Sequence, residues 1–227
     1  MDPFRQIDGY CERLDPSFWA EPVNAITNLA FILAAGLVWR EARREGALDG
    51  AVVTLLAITV LVGIGSFLFH TFATVWAALA DVIPITFFIF SYLAIAMRRF
   101  VRLPWWGAFL ALPVFLGFTI LVERAGEMLV HERFQGSFGY LPALVALVAV
   151  GGFLAGVRHH PAGRWLLGAG ALFAVSLTFR TLDIPLCGFF PLGTHFLWHL
   201  LNGVLLGILV LAVIRHGRPV RRTARPA

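Results

Sequence analysis

The sequence predicts an all-α integral membrane protein: a seven-transmembrane helix bundle with its N-terminus outside and its C-terminus cytoplasmic. Three observations carry this. The 227 residues are 59% hydrophobic and only 14% charged, with a mean hydropathy of +0.82, which is far more apolar surface than a soluble domain of this size needs. The apolar residues gather into seven stretches close to the roughly 20 residues that cross about 30 Å of hydrocarbon. All 18 basic residues are arginines, set in short clusters between those stretches. That placement marks topology; it does not form the stripe of a nucleic-acid-binding surface.

Taken in order, residues 1–22 form an outer N-terminal segment. Met1 to Trp19 is polar, with an acidic bias and no apolar signal-peptide core, so the first spanning helix is expected to drive insertion. That span covers about 23–41 and runs into Arg40, Arg43 and Arg44. The second, 51–70, closes on G-I-G-S-F-L-F-H, which sets Ser66 one turn before His70 on one helix face. The third, 79–98, opens with Asp81 and Pro84 and ends at Arg98 and Arg99. The fourth and fifth, 105–123 and 138–157, are apolar runs, and the sixth covers 165–181. Arg180 and Asp183 bracket the connection that follows and are expected to form a helix-end ion pair. The seventh, 194–214, begins T-H-F-L-W-H, with His195 and His199 again one turn apart. Connections are short and no repeat is present, so the chain reads as one bundle, 1–227, with a polar Arg/Pro tail over 216–227.

Seven spans put the two ends on opposite sides. The C-terminal side carries 13 arginines and the N-terminal side only Arg5, Arg13, Arg124, Arg133 and Arg180, so the C-terminus is assigned to the cytoplasm. Ten of the 13 acidic residues fall at or near the opposite, outer face, where they would suit a divalent cation.

Ionisable residues inside spans are costly and default to a functional role. Alternating span direction brings the end of the second span and the starts of the third and seventh to one membrane level. His195 and His199 at i, i+4 can chelate one tetrahedral ion. His70 from a neighbouring helix completes a three-histidine zinc site with an open position for water. Position 196 is Phe, so the base is not the glutamate of an H-E-x-x-H motif; Asp81 is the candidate, and Ser66 can donate to a developing oxyanion. The remaining histidines, His131, His159, His160 and His216, are expected to be solvated at span ends or in loops. Bis-histidine haem is disfavoured because both i, i+4 rings crowd one face. A retinal Schiff base is excluded because the chain has no lysine. A transporter would need polar groups along the inner halves of the spans, where there are almost none.

Four segments carry a resemblance: C-E-R…W-A-E-P-V-N-A-I-T-N over 11–28, G-S-F-L-F-H over 65–70 with Asp81, R-T-L-D-I-P-L-C over 180–187, and T-H-F-L-W-H-L-L-N over 194–202. In order and spacing they resemble the alkaline ceramidase family, membrane amidohydrolases within a superfamily of seven-helix proteins that also includes adiponectin-type receptors. The resemblance implies zinc on His70, His195 and His199. It implies Asp81 as the residue that orients and deprotonates water, and Ser66 as a group that polarises the amide carbonyl or holds the water. The reaction implied is hydrolysis of ceramide, or a related long-chain N-acyl lipid, to a free fatty acid and an amine. A membrane lipid is then the partner, with no nucleic acid. The resemblance further implies calcium on Asp8, Glu12 and Glu21, with Leu14 standing where animal members have a ligating Asn, and it supports a Cys11–Cys187 disulfide, which an oxidising compartment would allow. The alternative is an adiponectin-receptor-like signalling protein whose zinc is mainly structural. Arginine-only usage and compact loops point to a bacterial inner membrane, with the active site towards the periplasm.

Overall fold

The computed structural model of the chain describes residues 2–129 and 137–217. His131, Glu132 and Arg133, and the tail arginines Arg218, Arg221, Arg222 and Arg225, lie outside the described residues. Eight helices follow in order: α1 (Pro22–Thr27), α2 (Leu29–Arg44), α3 (Gly50–Phe72), α4 (Val75–Arg99), α5 (Trp105–Leu129), α6 (Leu141–Gly156), α7 (Ala162–Leu186) and α8 (His195–His216). α1 and α2 form one span, Pro22–Arg44, interrupted at Asn28. There the side chains of Thr27 and Asn28 turn back to carbonyls of the preceding turn, at 2.8 Å to Val23 and 2.9 Å to Asn24, a local alternative to the helical ladder.

Six spans are long and apolar enough to cross a membrane. The seventh, α6, is apolar but only 16 residues long, about 24 Å at 1.5 Å per residue. Two boundaries differ from the sequence expectation by five residues or more. α5 continues six residues past 123, because Glu and Arg are good helix formers and Arg124 pairs with Glu127 at 3.0 Å on its surface. α7 runs on to Leu186, five residues past 181, so Asp183 belongs to the helix and not to the connection after it.

Consecutive helices pack side by side, and α8 closes the ring against α2 while also touching α3. At the end of the bundle away from the N-terminus Asp49 caps α3, accepting from the amides of Ala51 and Val52 at 3.0 and 3.1 Å. It also pairs with Arg99 of α4 at 2.9 Å. At the opposite end residues 2–21 lie across the helix ends as a strap. The Ile7 amide donates to Ala73 at 2.7 Å and the Trp76 amide to Pro3 at 3.0 Å, tying the strap to the α3–α4 turn.

The α3–α4 crossing is set by two residues. Pro84 has no amide hydrogen, so the Ala80 carbonyl one turn earlier lacks its helical donor. Gly65 packs directly against that carbonyl; a Cβ there would meet the Ala80 oxygen and lie 3.2 Å from the Asp81 nitrogen. The missing side chain therefore lets α3 lie against the turn that carries Asp81.

Candidate metal centre

His70 stands in the last turn of α3, and His195 and His199 stand in the first turns of α8. All three are at most 2% exposed, and one ligating atom from each lies within 4.8 Å of the others. Ring centroids are 5.1 Å apart for His70–His195, 4.7 Å for His70–His199 and 4.6 Å for His195–His199. Among the described residues no other group of three or more His, Cys, Asp or Glu side chains converges in this way.

The fit to a metal is tested by which nitrogens have partners. His70 Nδ1 faces Glu21 Oε2 at 2.6 Å, and His199 Nδ1 faces the Thr27 hydroxyl at 3.0 Å. The opposite nitrogens, His70 Nε2 and His199 Nε2, are buried with no hydrogen-bond partner, as is His195 Nδ1. Buried polar atoms are seldom left unpaired. Three orphaned imidazole nitrogens facing one point, with two of the rings oriented from behind by a carboxylate and a hydroxyl, are what a tetrahedral ion requires.

Asp81 sits one turn before Pro84 in α4, with Oδ1 buried and unpartnered. Ser66 is 3% exposed on α3 and its side chain engages Asp81. The α3–α4 contact at Gly65 thus brings Ser66 and Asp81 together beside His70.

The three carboxylates expected at a calcium site are held apart. Asp8 is exposed on the strap. Glu12 accepts from the Val23 and Asn24 amides at 2.7 and 2.8 Å, capping the free end of α1. Burial pushes its carboxyl above the ordinary range, against the pull of those two amides. Glu21 is 2% exposed and bridges His70 to Arg13, whose Nε donates to Glu21 Oε1 at 2.6 Å. Burial opposes its ionisation, but His70 and Arg13 together hold its carboxyl below the ordinary range. Arg13 is itself buried and also donates to the carbonyl oxygens of Asp15 and His70, each at 3.1 Å.

Cys11 and Cys187 are joined in a disulfide with Cα atoms 5.5 Å apart. Beside it Asp183 accepts three backbone amides, from Cys11 at 2.9 Å, Thr194 at 2.7 Å and His195 at 2.9 Å. This corrects the expected Arg180–Asp183 ion pair: Asp183 caps α8 and fastens the strap, while Arg180 points elsewhere. Gly193 turns the chain there at φ +70°, and a Cβ would strike Cys11 and Asp183. His216 also departs from expectation, being half-buried against the Trp165 ring at 5.7 Å.

Four residues were given no role in the site by the sequence: Arg13, Tyr10, Thr27 and Arg180, three of which lay within the segments that carry the resemblance. Tyr10 stacks on His195 with centroids 3.8 Å apart, and burial pushes its phenol above its ordinary value. It is the strap's lid over the histidines. Below the site lies an apolar cavity, part of it open to the exterior. It runs along α8 from Trp198, next to His199, down to Leu209, about 16 Å of helix.

The chain thus holds a buried trihistidine group flanked by a serine–aspartate pair, above an apolar cavity. Among curated proteins none matches the chain. The family model described as Ceramidase matches residues 10–224, nearly the whole chain, and the chain therefore belongs to the ceramidase family, hydrolases of amide bonds.

Proposed function

We propose that the protein is a zinc-dependent intramembrane amidase that cleaves ceramide or a related long-chain N-acyl lipid to a free fatty acid and a sphingoid or other amine. One observation carries the reading: three orphaned histidine nitrogens share a buried layer with Asp81 and Ser66, directly above an apolar cavity long enough for an acyl chain.

His70, His195 and His199 would hold the ion. Zinc bound there supplies Lewis-acid activation of water and of the amide carbonyl. Asp81 accepts the proton of the attacking water and returns it to the nitrogen as the C–N bond breaks. Ser66 holds Asp81 in place and offers its hydroxyl to the carbonyl oxygen, where negative charge develops. Tyr10 and the strap shut bulk water out from above. Calcium at Asp8, Glu12 and Glu21 is a separate expectation; this reading rests on zinc. The arginine distribution favours an outward-facing site, on the periplasmic side of a bacterial inner membrane.

The test uses purified protein, metal analysis and a ceramide substrate. One zinc per chain and release of free fatty acid are expected. His199→Ala is expected to lose both, and Asp81→Ala to lose turnover while keeping the metal. Full turnover in a zinc-free His199→Ala protein would refute the proposal.

A further inference from the structure

Among the described residues Arg180 forms no ion pair, and it stands between the metal centre and the lipid cavity. No carboxylate lies within 4.0 Å of its guanidinium among the described residues. Every other polar partner it has is neutral. Its Nη1 donates to the Ser137 hydroxyl at 3.2 Å. Its Cζ lies 5.2 Å over the Tyr140 ring and 5.7 Å over the Trp198 ring, and Tyr10 also engages it. A buried guanidinium is normally paired, because desolvating a lone charge is expensive.

Two facts show where the guanidinium faces. Arg180 is half-buried and keeps accessible surface. The two rings it covers, Tyr140 and Trp198, both line the apolar cavity. Arg180 is also within electrostatic reach of Asp81, so substrate seated against Asp81 lies close to it. Elsewhere in the centre charges already balance: Arg13 is matched by Glu21. A divalent ion among three neutral histidines, with Asp81 alone against it, leaves the neighbourhood of Arg180 in surplus positive charge.

We propose that Arg180 binds a carboxylate of the lipid ligand. This rests on the amidase reading and narrows its substrate class. The carboxylate belongs either to the amine half of the substrate, as in an N-acyl amino acid, or to the fatty acid released by cleavage. A guanidinium makes charge-assisted, fork-shaped contact with a carboxylate and gains little from a neutral hydroxyl. The Tyr140 and Trp198 faces hold it in place by cation–π contact.

Binding to the zinc-loaded protein tests the proposal without requiring turnover. The probes are N-palmitoyl-serine, its neutral twin N-palmitoyl-serinol, palmitate and palmitoyl alcohol. Wild type is expected to prefer the acid of at least one pair by about ten- to a hundredfold. Arg180→Gln should erase that preference with neutral-probe affinity within about twofold of wild type, and Arg180→Lys should restore part of it. Preference within the serine pair assigns the carboxylate to the substrate; preference only within the palmitate pair assigns it to the product. Equal binding of acid and neutral probes in wild type overturns the proposal, as does an Arg180→Gln protein that melts as wild type but loses all four probes alike. Failure to hydrolyse any amide, with the acid preference intact, counts against the amidase reading and not against this one.

Discussion

Glu21 shows how much a single side chain can be asked to do. It fixes the tautomer of His70 through a 2.6 Å contact while neutralising Arg13, and a carboxylate behind a histidine both orients the ring and raises its basicity. Glu21→Gln keeps the shape but loses the charge. It is expected to weaken zinc binding by about ten- to a hundredfold, read by competition with a chelating dye. Unchanged zinc affinity would mean that Glu21 serves only the strap. The histidines themselves were legible, since ionisable groups inside apolar spans are few and a one-turn spacing fixes their common face. Glu21 was not legible in this role. Its acidity suggested a cation ligand, and only the fold-back of Arg13 shows that a guanidinium stands beside it. Tyr10 escaped for a related reason: what it touches is decided by a strap with no periodicity to read, while Thr27 on α1 meets His199 only through the packing of α1 on α8.

Among the elements, the α3–α4 crossing and the Asp49 cap of α3 make separate demands. Gly65→Val would drive a side chain into the Ala80 carbonyl, and backbone cannot yield as a side-chain tip can. A loss of about 3 kcal/mol or more is expected. Where the variant still folds, zinc content should persist while fatty-acid release falls, because Ser66 and Asp81 separate and the histidines do not. Asp49 supplies a pH signature. Burial opposes its charge, but Arg99 and the Val52 and Ala51 amides prevail and hold its carboxyl below the ordinary value. Its contribution is therefore complete above the unfolded carboxyl value of about 3.9 and lost as the pH falls through the lower folded value. Melting temperatures of wild type and Asp49→Asn should differ at pH 6 and converge towards pH 3. Spans were legible from hydropathy alone, whereas their ends were not: the sequence ended α7 at 181, because Asp183 looks like a loop residue until it is seen to cap α8 from inside the helix.

For the whole molecule, the strap is the feature that makes a centre out of a bundle. It is held by the Cys11–Cys187 bridge, by Asp183 and by the backbone contacts to Ala73 and Trp76, and it carries the tyrosine that covers His195. Removing the bridge in Cys11→Ser/Cys187→Ser should cost about 2–4 kcal/mol. It should also hasten zinc loss to an added chelator, followed by metal release over time. Equal release rates in the two proteins would show that the strap does not confine the ion. The closed ring of helices was readable from span count and short connections, while the strap's path was not, because its partners lie at the far end of the chain.

That last point reaches into how the protein is made. The strap leaves the ribosome first, but Asp183 and Cys187 come late; the two cysteines are 176 residues apart. At roughly 5–20 residues per second, the finished strap waits about 10–35 s for the residues that fasten it. His195 and His199 arrive later still. Neither the lid nor the ion can settle on a half-made bundle, so every intermediate that still lacks its last helix is chemically silent.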